Sequence, residues 1–123
     1  MFLYRYEFDS GCEKPHTGIL TGLDDLFETD QILKLCAIFE DELPAPVIWD
    51  RNTLSFFTEK GNRKFNKAIR KIKEAAKEIG VGVNCIKINY TDASIIYEDK
   101  YQVITPNPYN AALHILRTDK DLF

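Results

Sequence analysis

The chain has 123 residues, 45% apolar and 28% charged, with 16 Lys and Arg against 19 Asp and Glu. That length supports one domain, residues 1–123, and the composition excludes low-complexity disorder, solenoid repeats and an apolar run long enough to cross a bilayer. A net charge of −3 is unlike a dedicated binder of bare nucleic acid, and three cysteines without C-x-x-C spacing suit reduced thiols in the cytoplasm better than a disulfide frame.

Residues 2–8 alternate Phe2, Tyr4, Tyr6 and Phe8 with Leu3, Arg5 and Glu7, the period of a half-buried strand. The aromatic face is expected on the core, leaving Arg5 and Glu7 to solvent, a cleft or cross-strand neighbours. Because those two charges interrupt the apolar run, the opening stretch is expected to be neither a signal peptide nor an anchor. Residues 10–18, with two glycines and Pro15, read as a surface loop carrying Cys12 and His16. Residues 22–42 read as helix in two pieces, divided by an N-cap at Thr29 or Asp30. Ile32, Leu33, Leu35, Cys36 and Phe39 make the second piece amphipathic, and Glu40, Asp41 and Glu42 crowd its C-terminal end against the helix dipole. Pro44 and Pro46 keep the next connection extended, and Trp49, the only tryptophan, is either an anchor for it or part of a binding groove.

After a short strand at 53–57 comes the longest periodic stretch, residues 58–80. Phe65, Ile69, Ile72, Ala76 and Ile79 recur at helical spacing, Thr58 or Asn62 can cap the start, and Gly80 can end it. Eight cations lie on the other faces against three anions, a net of +5, while residues 1–50 carry three cations against eleven anions. Such a face either covers apolar surface with its stems or forms a basic patch for an acidic partner. The Arg70–Glu74 pair contributes only roughly 0.2–0.5 kcal/mol. Residues 83–90 alternate again, with Asn84, Ile86, Ile88 and Tyr90 expected on the core. Residues 94–105 read as a hairpin turning near Asp99-Lys100, or as one bulged strand, followed by a turn at Pro106-Asn107-Pro108. Residues 111–117 form a helical turn or an edge strand, and residues 118–123 fray. The order predicts an α+β fold, a mostly antiparallel sheet with two helices packed on one face.

No phosphate loop, dinucleotide fingerprint, nucleophile elbow or zinc spacing occurs. Arg5 on the first strand, Ser55 (or Thr58) at a strand end and the late Glu98 resemble, in order, the set that ADP-ribosyltransferases arrange around NAD. That resemblance implies Arg5 on the cofactor phosphates, Ser55 at the nicotinamide and Glu98 on a ribose hydroxyl. Here Glu98-Asp99-Lys100 stands where that family has Glu-x-Glu or Gln-x-Glu. The short, acidic, aromatic-rich chain with its 56–61 segment also resembles small uncharacterised phage and prophage proteins of Gram-positive bacteria. This second resemblance implies a cytoplasmic, non-enzymatic protein that acts by binding a host protein or nucleoprotein, as an inhibitor would, without a cofactor. The surfaces expected to carry such binding are the basic face of Arg63, Lys67, Arg70 and Lys77, and the acidic corner with Trp49. The opposite charges of the two halves also allow pairing between copies.

Overall fold

Alternating aromatic and aliphatic residues build a six-stranded sheet in the computed structural model of the chain, which describes residues 2–12, 17–20, 22–27, 29–40, 53–90, 95–106 and 115–119. At positions 24, 36, 38, 40 and 115–119 the description covers the backbone alone. In chain order the elements are β1 (Phe2–Phe8), α1 (Leu23–Leu26), α2 (Thr29–Glu40), β2 (Thr53–Phe57), α3 (Glu59–Lys64), α4 (Asn66–Glu78), β3 (Val83–Asn89), β4 (Tyr97–Glu98), β5 (Gln102–Pro106) and β6 (Ile115–Asp119). The strands lie in the order β4-β5-β2-β1-β3-β6, and every described pair is antiparallel. The fold is α+β, as the sequence predicts.

The helices bury one sheet face. Tyr6, Phe8, Phe57, Val83 and Cys85 from the sheet pack with Phe39 of α2 and with Phe65, Ala68, Ile69, Ile72 and Ala76. Phe65 is the hub of the aromatic packing, with ring centroids 5.3 Å from Phe39, 5.8 Å from Phe57 and 5.8 Å from Tyr101. The opposite face is also buried: Leu3, Phe56, Ile86, Ile88 and Val103 form a second cluster, with Leu54 and Tyr90 against it. This corrects the expectation of a single core side for residues 83–90. In a central part of the sheet both alternating sets are buried, so Val83 and Cys85 belong to one core and Ile86 and Ile88 to the other.

The long periodic stretch is not one helix. Phe65, at φ −96° and ψ 11°, interrupts it between α3 and α4. Gly61 accounts for the placement of α3, because a Cβ there would stand 2.1 Å from the carbonyl oxygen of Tyr101. The helix backbone therefore lies directly on the β4–β5 turn. Thr58 is the cap, its hydroxyl accepting from the Gly61 N–H at 3.0 Å and donating to the Lys100 carbonyl at 2.7 Å. Asn62, the other capping candidate, instead accepts the Tyr6 hydroxyl. Gly80 has the left-handed φ of +79° expected of a helix stop, but Ile79, placed on the buried stripe by periodicity, is 50% exposed where α4 ends. Leu33 is likewise exposed on α2.

Within the 94–105 region, β4 and β5 form a hairpin without a glycine turn. The Asp99 carboxylate accepts from the backbone N–H groups of Tyr101 at 2.8 Å and Gln102 at 3.0 Å, fixing the loop with a side chain where a two-residue turn would need glycine. Within 111–117 the described residues, 115–117, lie in the edge strand β6, one of the two alternatives. Thr118 and Asp119, expected to fray, pair with β3 as part of it. His16, Asp41, Glu42, the prolines at 44 and 46, Trp49 and the 107–108 turn lie outside the described residues.

Candidate functional site

Burial of one helical stripe decides which side chains α3 and α4 present outward. With Phe65, Ala68, Ile69, Ile72 and Ala76 in the core, Arg63, Lys67, Arg70 and Lys77 are all exposed. Lys60, Lys64 and Lys71 are exposed as well, so the cations continue along both helices. The start of this face is anchored by aromatic contacts, the ammonium groups of Lys64 and Lys100 each standing 5.1 Å from the Tyr101 ring centroid. The expected basic face is therefore a surface held on a rigid element. The acidic corner with Trp49 lies outside the described residues.

The flank of α3 toward β1 adds groups that the sequence reading did not join to this face. Glu59 Oε1 accepts from the Phe2 N–H at 3.3 Å, and Asn62 bonds Tyr6, which sets the α3 flank above the row Phe2, Tyr4, Tyr6. Burial and the Glu59 carboxylate push the Tyr4 hydroxyl above its usual pKa, while Arg63 pulls it down, so both charges act at that hydroxyl. Across the sheet, Tyr4 pairs with Lys87 and Lys87 with Arg117. Lys87 Nζ lies 4.0 Å from the Phe2 ring centroid and 6.0 Å from that of Tyr4. Alternation alone could place Lys87 on a strand face, but not beside Phe2; that needs the β1–β3 register.

Arg5, Ser55 and Glu98 are positioned quite differently. Arg5 Nε donates to Glu7 Oε2 at 2.7 Å, both residues being buried, and a second guanidinium nitrogen donates to the Ser55 carbonyl at 3.1 Å. The pair sits where the sheet opens. The described β1–β2 register is the single pair Tyr4–Phe57, and beyond it Ile19 N–H bonds the Tyr6 carbonyl while Phe8 N–H bonds that of Thr17. The 17–19 segment thus takes the place of β2, and the guanidinium spans the divergence. Gly18 permits this, since a Cβ there would be 3.1 Å from the guanidinium nitrogens. The cleft left beside it, lined by Arg5, Gly18, Leu20, Leu54, Ser55 and Phe57 among others, holds about 100 Å³, below the roughly 300 Å³ at which small-molecule pockets begin.

The Ser55 side chain lies on the helix side of the sheet, with its hydroxyl 3.2 Å from Gln102 Oε1. Glu98 faces the same side as Arg5 by register, but β5 and β2 intervene, a separation of ~14 Å at the usual strand spacing. Its carboxylate accepts the Tyr90 hydroxyl at 2.8 and 3.1 Å. The structure therefore does not bring the three side chains together, because chain order says nothing about which strands separate them. Thr58, the alternative to Ser55, is the helix cap.

Cys12 is half-buried beside Asp25, and burial together with that carboxylate pushes its thiol up, away from the thiolate a nucleophile requires. Among the described residues no group of His, Cys, Asp and Glu side chains could hold a metal ion. No described helix is long and apolar enough to cross a membrane. The chain matches no protein-family model, no curated protein and no solved structure.

Proposed function

We propose that this protein is a non-enzymatic binding module of phage or prophage type that engages an acidic surface of a host protein or nucleoprotein through the cationic face of α3 and α4. One observation carries the proposal: Arg63, Lys67, Arg70 and Lys77 are all exposed on helices whose other side is fixed in the aromatic core. Such preorganised charge steers encounter and fixes register on an oppositely charged partner. Arg5, the residue that NAD chemistry would need on phosphates, is occupied by Glu7 and the Ser55 carbonyl.

The test is a capture experiment in host lysate with the unaltered chain and with the triple variant Arg63→Glu, Lys67→Glu, Arg70→Glu. The expected outcome is loss of the captured partner with little change in thermal stability, since exposed substitutions of this kind usually cost within about 0.5 kcal/mol each. Undiminished capture by the folded triple variant contradicts the proposal.

A further inference from the structure

The cationic face does not end at the helix crest. Below Arg63, the half-buried rings of Phe2 and Tyr4 lie on the sheet with Lys87 Nζ 4.0 and 6.0 Å from their centroids. Half-exposed aromatic rings beside an Arg have the composition of an interface core, where rings supply contact area and the cation supplies orientation.

We propose that Phe2, Tyr4 and Lys87, with Arg63 above them, form the second half of the binding surface and take an acidic polypeptide segment that carries an aromatic side chain. The segment's carboxylates meet Arg63, Lys67 and Lys87, and its ring packs against Phe2 and Tyr4. This inference rests on the binding function proposed above and names the chemistry of the partner. A polypeptide fits better than a nucleic acid strand because Glu59 lies within the patch, bonded to the Phe2 N–H. A uniform run of phosphates would have to pass that carboxylate, and the chain's net charge of −3 offers no long-range attraction to one. A protein segment can place its few anions on either side.

The experiment titrates the full chain against three fluorescent probes: a dodecamer of glutamate, a dodecamer repeating Glu-Glu-Phe, and oligothymidylate of twelve nucleotides. Anisotropy is expected to show the aromatic-containing peptide binding about tenfold more tightly than oligoglutamate, with the advantage lost in the double variant Phe2→Ser, Lys87→Ala. Nitrogen–proton correlation spectra of the unaltered chain give a readout that needs no variant. The amides of Phe2, Tyr4 and Lys87 are expected to shift together with those of α3. Equal affinity for the two peptides with shifts confined to α3 and α4 overturns this inference and leaves the helix-face function standing. Tighter binding of oligothymidylate than of either peptide, or no binding of either peptide, also overturns it.

Discussion

Arg5 is a tie rather than a reactive group. Its guanidinium joins the Glu7 carboxylate to the Ser55 carbonyl and closes the gap where β1 and β2 part. Buried ion pairs give little net stability over a well-packed apolar pair, but breaking one leaves a charge without its partner. Arg5→Met is therefore expected to destabilise the protein by about 3–5 kcal/mol in urea unfolding, because the buried Glu7 carboxylate loses the guanidinium that neutralises it. The double variant Arg5→Met, Glu7→Leu should recover most of that loss. If the two single costs simply add, the side chains are not coupled. Sequence alternation placed Arg5 and Glu7 on one strand face, and it could go no further. Their burial depends on Gly18 and on a carbonyl fifty positions away, neither of which a local pattern reveals.

Among the elements, those with chemical punctuation were the most legible. Thr58 caps a helix and Gly80 ends one because a hydroxyl and a left-handed φ answer needs local to the chain. The interruption at Phe65 was hidden, since the apolar periodicity runs through that position unbroken. The β4–β5 turn lies between these cases: Asp99 was visible at the turn, but its role in replacing glycine was not. Burial raises the Asp99 pKa, yet hydrogen bonds from Tyr101, Tyr97 and Gln102 outweigh it and hold the carboxyl below its ordinary value of 3.8. A depressed folded pKa contributes stability that is present above 3.8 and is lost as pH falls through the folded value. Urea midpoints are expected to drop between pH 6 and pH 3 by more in the unaltered chain than in Asp99→Asn. An identical drop in both contradicts this role for the turn carboxylate.

At the scale of the molecule, the α+β class followed from the order of strands and helices, but the strand order β4-β5-β2-β1-β3-β6 did not. That order separates Arg5 from Glu98 by two strands and brings Lys87 beside Phe2 and Tyr4. The basic helix face was legible because charge and periodicity are both written locally; its continuation onto the sheet was not. With apolar side chains buried on both faces of the sheet, the uneven charge becomes a property of the surface, and the exposed cations of α3 and α4 are its most continuous expression. The most direct measurement of the central claim is site-specific photocrosslinking in host lysate. A photoreactive amino acid replaces Lys67 on the helix face or, as a remote control, the exposed Ile96 beside the β4 edge. An adduct from position 67 that weakens with added salt, and none from position 96, is the predicted result. An adduct from position 96 alone would contradict the assignment of the binding surface to the cationic helices.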